Sequence, residues 1–324
     1  MRIGWIAPHL GCFGSIREIV ELSNALVERG AEVTIHHPDG TPCAWLPCAA
    51  QIRPTSELPG AEYDLLLLVT EWLQDDYDNL IAANARIKGV VVMGFAPNDE
   101  LAQMLTGWRV EEAGVPVLID ALHRPDIAVF SDGPWQLKWL EEHLEIETAT
   151  WLGGVNIDMF YSDAEQREGI VIGASGDPRS RKGSDTVAAA FAIVQEAHPT
   201  LELATYWGKK LSQEELVRWY QRCTIFLDGH RRAGWCNPVF EAMACGAAVV
   251  CTDIPAVRPI AIHGETAMIV PVDDAQAMAD ATLRLLASAP RIQRLADAGA
   301  AKVRRYSYRR AASRLEMWLG RQLG

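Results

Sequence analysis

No apolar run in this 324-residue chain approaches the ~18 positions a membrane-spanning helix requires; 65-LLLLV-69 and 89-GVVVMGF-95 are strand-sized. The N-terminus, MRIGWIAPHLG, lacks the basic-then-apolar layout of a signal peptide and reads as a first strand, so a cytoplasmic location is expected. The seven cysteines (12, 43, 48, 223, 236, 245 and 251) are odd in number and show neither CxxC nor His-paired spacing. That excludes the signatures of a disulfide framework and of a zinc site and leaves reduced thiols, with no metal expected. GxGxxG and GxxxxGK[ST] are absent, which argues against a dinucleotide-binding dehydrogenase and against a P-loop protein. Basic residues are scarce early: positions 1–160 hold 9 Lys+Arg against 24 Asp+Glu, and positions 161–324 hold 21 against 18. An acidic first half disfavours docking on nucleic acid or on an anionic membrane surface. The mildly basic second half is read either as a binding surface for an anionic ligand or as solvated surface.

What is present is an alternation of strand and helix patterns. Residues 2–8 read as a strand, 9–15 as a glycine-containing loop, 16–30 as a helix with Ile19, Val20, Leu22, Leu26 and Val27 on one stripe, and 32–37 as a second strand. Further strands are expected at 64–69, 89–95 and 126–131. Segment 151–163 reads as a connector, after which the alternation restarts: strands at 169–175, 201–207, 224–229 and 247–251, and helices over 185–198, 212–223, 275–288, 291–305 and 306–320. Repeated β-loop-α-β units imply parallel sheets covered on both faces. The fold class expected is α/β, with two Rossmann-like doubly wound domains facing a cleft: 1–160, then 161–305, with a C-terminal helix, 306–324, crossing back to the first domain. Ligands of such sheets sit beyond the C-terminal ends of the strands.

Three loops and one helix carry chemistry. In 8-PHLGCFGS-15, Gly11 and Gly14 let the backbone approach a ligand; the loop is read as a phosphate cradle or as a tight turn. In 176-GDPRSRKGS-184, Arg179, Arg181 and Lys182 precede Gly183 at a strand-to-helix turn, a plausible diphosphate clamp whose alternative is a solvated loop. In 228-DGHRRAGW-235, His230, Arg231 and Arg232 lead into the helix of 233-AGWCNPVFEAMACGAAVVCTD-253. There Asn237 is the expected N-cap, Pro238 the first helical residue and Gly246 the left-handed stop. Glu241 then lies about one turn inside a helix whose amino end offers free amides, and a carboxylate there suits sugar hydroxyls.

The block 233–253, followed by 264-GETAMIVPVDDAQAMADATLRLL-286, resembles the retaining GT-B glycosyltransferases of the glycogen-synthase-like group, family 4. The stretches 182–194, 214–227 and 153-GGVNIDMF-160 are similar to that group as well, as is the N-terminal PHLGCFGSIREIVELSNALVERGAEVTI. The resemblance implies a transferase moving a sugar from a nucleoside-diphosphate sugar to an acceptor, with retention and without a metal or other cofactor. Carried over residue by residue, it makes Glu241 the acid that grips the ribose and Lys182 the diphosphate lysine, with Arg181 or Arg179 assisting. Gly11 and Gly14 become the glycine loop facing the donor phosphates, and the turn Cys236, Asn237, Pro238, Val239 a donor contact. Three positions depart from the pattern: Ala233 replaces the family's first glutamate, Ala174 its strand-end arginine, and Phe95-Ala96-Pro97 the segment of its histidine. His230 and His123 are the nearby catalytic candidates. Trp45, Trp72 and Trp108 are read as acceptor-stacking rings or as packing. The alternatives are a non-catalytic sugar-nucleotide-binding GT-B protein and a GT-B sugar-nucleotide epimerase. The expected partner is a nucleotide sugar with an acceptor left open; no nucleic acid and no transmembrane segment are expected.

Overall fold

The run 65-LLLLV-69 is buried at every position, as only an internal strand of a sheet covered on both faces requires. A computed structural model describes residues 1–69, 74–93 and 121–324. These divide into one unit of Met1–Gly154 with Tyr308–Gly324 and a second of Val155–Ser307. The expected Phe95-Ala96-Pro97 segment, Trp72 and Trp108 lie outside the described residues.

The first unit runs β1 (Arg2–Ile6), α1 (Gly14–Glu28), β2 (Glu32–His37), β3 (Gln51–Pro54), β4 (Glu62–Val69), α2 (Gln74–Ala82), β5 (Asn84–Val92), β6 (Ile127–Ser131), α3 (Pro134–Leu144) and β7 (Thr148–Trp151). Among the described residues its seven strands are all parallel, in the order β3-β2-β1-β4-β5-β6-β7. The expected stripe of α1 is the one that turns inward, with Ile19, Val20, Leu22 and Leu26 at most 1% exposed.

The second unit runs β8 (Ile172–Ala174), α4 (Ser184–Ala197), β9 (Leu203–Thr205), α5 (Gln213–Arg222), β10 (Ile225–Asp228), α6 (Asn237–Ala244), β11 (Ala248–Thr252), β12 (Met268–Val270), α7 (Ala275–Leu286) and α8 (Ala289–Val303). The five strands are parallel in the order β12-β11-β10-β8-β9. α5 starts at a reciprocal cap: Ser212 N–H donates to Glu215 Oε2 at 2.8 Å and Glu215 N–H to Ser212 Oγ at 3.2 Å. Val155–Phe160 belong to this unit, where Phe160 is buried with its ring 5.9 Å from that of Tyr220. The final helix, α9 (Tyr308–Leu323), belongs to the first unit; there Trp318 meets Phe130 edge-on at 4.9 Å and the Arg314 guanidinium lies 3.4 Å from the Trp151 ring centre.

Strand order positions the site. β8 leads to β9 on one side, yet β10 pairs with β8 on the other, at Ile225↔Ile172 and Leu227↔Ala174. The order therefore reverses between β8 and β10, and their carboxyl-terminal loops emerge side by side. Such a switch point is where open parallel sheets leave room for ligands.

Candidate functional site

The two loops at the switch point of the second unit touch through their backbones. Gly183 has φ +59, and Arg231 N–H donates to Arg181 O at 2.9 Å. Ser180–Lys182 form one short 3-10 turn ahead of α4, so Lys182 projects where that helix's free amides begin.

Behind the lysine stands a buried histidine. Lys182 Nζ is 2.7 Å from His230 Nε2, and His230 Nδ1 is 2.8 Å from both carboxylate oxygens of Asp228. A carboxylate only accepts and an ammonium only donates, so Nδ1 carries the proton and Nε2 offers its lone pair to the lysine. Burial, followed by the neighbouring Arg181, lowers the Lys182 pKa from its ordinary value. Burial also lowers that of His230, partly offset by Asp228, and keeps the imidazole neutral. Burial pushes the Asp228 carboxyl up, but His230 and Lys182 together bring it below the usual range. The backbone is held too: Thr252 Oγ1 donates to the His230 carbonyl, and His230 N–H donates to Asp228 Oδ1 at 3.2 Å.

Cys236 Sγ lies 3.7 Å from His230 Nδ1 and 3.8 Å from Asp228 Oδ1. Ligand atoms of Asp228, His230 and Cys236 fall within 4.8 Å of one another, a spacing a divalent ion accepts. Lys182 already brings a positive charge to that cluster, and repulsion between an adjacent ammonium and a dication disfavours holding both.

The remaining cations are arranged differently. Arg179 Nε donates to both oxygens of Asp177 at 3.0 Å, and its guanidinium lies 5.3 Å from the ring centre of the exposed Trp207. Arg231 is tied to Asp185 and Asp273, each at 2.7 Å. Of the three loop cations, then, Lys182 and Arg181 adjoin the His230 cluster and Arg179 serves Asp177.

Helix α6 begins one residue earlier than Asn237 as N-cap would give: Cys236 holds the cap position without a side-chain cap bond, and Gly246 stops the helix at φ +82. With Pro238 unable to donate, the amides of the turn are those of Cys236, Asn237 and Val239. Cys236 and Val239 are buried, and Asn237 and Pro238 half-buried. Glu241 sits on the inner side of α6, 6% exposed, hydrogen-bonded to the Tyr220 side chain and facing Tyr206. Tyr220 and Tyr206 hydroxyls meet at 3.3 Å, and the charges of Glu241, Asp228 and Asp177 all bear on the half-buried Tyr206.

In the first unit, Gly11 and Gly14 lie where β1 passes into α1: Gly11 N–H donates to His9 Nδ1 at 3.1 Å, and Gly14 is the first residue of α1. His123 is exposed there, while His230 is buried in the second unit. Trp45 is half-buried, donating through Nε1 to Leu10 O at 3.0 Å and lying under Arg17. Ala174 and Ala233, where the resemblance calls for charged residues, are both buried.

Residues 182–288 match the family model described as glycosyl transferases group 1. This stretch is similar to glycosyl transferases group 1. It opens at Lys182 and takes in Asp228, His230 and Glu241. Among curated proteins, the phosphatidyl-myo-inositol mannosyltransferase of Mycobacterium leprae is 41% identical over 75 residues, 23% of this chain and 20% of that one. Its Mycobacterium tuberculosis counterpart is 28% identical over 210 residues, 55% of each chain. The matches thus span from a fifth to about half the length of these relatives. Sucrose-phosphate synthase from Thermosynechococcus elongatus is similar in structure, with a TM-score of 0.74 at 17% identity over 99% of this chain and 98% of that one. Anabaena HepE, solved in complex with UDP-glucose, gives 0.72 at 13% over 99% of both. At such identities the likeness shows the fold, which is GT-B.

Within the matched stretch, sequence reasoning passed over Asp228, Tyr206 and Tyr220. The signal available for Asp228 was its place at the end of a strand, two residues before His230. Among the described residues no helix is long and apolar enough to cross a membrane.

Proposed function

We propose that the protein is a glycosyltransferase that moves a sugar from a nucleoside-diphosphate sugar to an acceptor, with retention of configuration and with protein cations rather than a metal on the diphosphate. The observation carrying this reading is the lysine-bearing loop at the switch point of the second sheet, within the stretch that matches glycosyl transferases group 1. Glycosyl transfer builds positive charge at the anomeric carbon and negative charge on the departing diphosphate. Lys182, Arg181 and the free amides at the amino end of α4 supply fixed positive potential for that negative charge, and preorganised donors of this kind lower the barrier without reorganising. Glu241, on α6, is the acceptor for the ribose hydroxyls. Retention rests on the family resemblance of the 233–286 block.

The relatives named as mannosyltransferases make mannose the first sugar to test, and the neighbour solved with UDP-glucose makes glucose the second. Calorimetry with UDP, GDP and ADP, each beside its nucleoside, tests the site. Replacing Arg181 and Lys182 together by alanine is expected to weaken the diphosphate far more than the nucleoside; equal losses would remove the phosphate clamp. Mass spectrometry of donor incubations separates the activities. Transfer or slow donor hydrolysis marks a transferase, interconversion of the donor alone an epimerase, and binding with neither a non-catalytic protein, the reading that the buried Ala233 favours.

A further inference from the structure

A lysine on a diphosphate has one recurrent difficulty: its four-carbon stem samples many rotamers, and fixing it on a ligand costs entropy. Here the side chain is half-buried and the ammonium already has a partner, His230 Nε2 at 2.7 Å. An ammonium has three N–H donors. One directed at Nε2 leaves two for phosphate oxygens, so the imidazole fixes the lysine without occupying it. Asp228 makes this possible: by accepting the Nδ1 proton at 2.8 Å it keeps the lone pair, and not an N–H, opposite the ammonium. The His230 loop is anchored by Thr252, which donates to His230 O, and the Lys182 turn is held against that loop by the Gly183–Gly229 contact.

We propose that Asp228 and His230 are positioning residues that hold Lys182 in the geometry for a nucleoside diphosphate, Asp228 setting the imidazole tautomer and His230 setting the direction of the ammonium. Neither touches the ligand; both act through the lysine. The inference rests on the donor reading above.

The test is a calorimetric cycle with UDP, GDP and ADP, each beside its nucleoside, on the full chain and on His230→Leu, His230→Gln, Lys182→Ala and the double variant Lys182→Ala/His230→Leu. Leucine fills the space but offers no acceptor, whereas glutamine restores one. His230→Leu is expected to weaken the bound nucleoside diphosphate about tenfold, or about 1.4 kcal/mol, and to leave the nucleoside unchanged. His230→Gln recovers most of that loss, and in the Lys182→Ala background His230→Leu adds nothing. Equal losses for diphosphate and nucleoside, an undiminished effect without Lys182, or no effect at all would each overturn the role of His230 while leaving the donor site standing. Failure of the unmodified chain to bind any of the three diphosphates would sink the donor reading and this inference together. Should His230→Leu not fold, the imidazole 15N shifts of the unmodified protein decide: an Nδ1–H tautomer with and without diphosphate supports the proposal, and an Nε2–H tautomer overturns it.

Discussion

A Cβ placed on Gly183 would lie 1.8 Å from the carbonyl oxygen of Gly229, and one on Gly229 would lie 2.3 Å from the carbonyl oxygen of Gly183. Two loops that begin on neighbouring strands are pressed backbone to backbone, and no side chain fits between them. The lysine on one loop and the histidine on the other owe their approach to this contact.

Gly183→Ala therefore carries two penalties, left-handed strain at φ +59 and a clash with backbone that cannot swing away. Gly169→Ala carries only the first, since φ is +73 there with nothing within 4 Å of the new Cβ. Strain of this kind costs roughly 1–3 kcal/mol. Thermal melting should show Gly183→Ala losing clearly more than Gly169→Ala, together with diphosphate affinity. Equal melting losses in the two variants would mean that the loops can part without consequence.

Glu241→Ala is expected to weaken nucleoside diphosphate binding by roughly 1–3 kcal/mol, the cost of a charge-assisted hydrogen bond. Tyr220→Phe removes the phenol that bonds Glu241 and meets Tyr206, and should lower stability by about 0.5–1.5 kcal/mol. Calorimetry giving the same affinity for Glu241→Ala as for the unmodified chain would take Glu241 out of the binding site and leave it a structural partner of Tyr220.

Acid should unfold the protein partly through its buried histidines. Burial lowers the pKa of His230 and of His36, whose Nε2 lies 2.6 Å from the Tyr63 hydroxyl. The unfolded chain takes up protons at about pH 6.5 while the folded chain does not, so more protons bind the unfolded state and stability falls as pH drops below about 6.5. The loss continues down to the folded pKa of each group. Asp228 acts lower still: its depressed pKa contributes stability above about pH 3.9 that is lost as pH falls through the folded value. Urea midpoints at pH 7.5 and 5.5 should differ less in His230→Gln than in the unmodified chain. An identical pH response would show that His230 titrates normally.

Trp318→Ala tests how firmly α9 is part of the first unit. Trp318 is 9% exposed against Phe130, while Arg314 on the same helix lies over Trp151 and donates through Nη2 to Gly153 O at 3.3 Å. Large aromatic-to-alanine changes in a core cost about 3–5 kcal/mol. Denaturant unfolding should register a loss of that order; a change below about 1 kcal/mol would mean that the helix packs loosely on the sheet.

Much of the fold was legible residue by residue. The 3.6-period stripe of α1, the unbroken apolar run of β4 and the left-handed stop at Gly246 are local signals; the short strands β3, β7 and β12 had no expected place in the sequence. The resemblance, too, rested on a contiguous block. Other features carried no local signal. Arg17, Glu18 and Glu21 of α1 are charged and lie outside its apolar stripe, yet they are at most 7% exposed, because burial depends on what covers a helix and not on its own period. Arg179 and Lys182 stand three positions apart in one basic loop, yet Arg179 is paired with Asp177 while Lys182 is directed by His230.

The sequence by itself determined two runs of βα units and a lysine-glycine turn ahead of a helix, since hydrophobic period and turn chemistry are properties of neighbours along the chain. That Lys182 meets a histidine 48 positions away was decided by the tertiary structure alone. It required β10 to pair with β8 rather than with β9, a choice of strand order made by crossover connections and sheet packing, and only that order sets the two loops against each other.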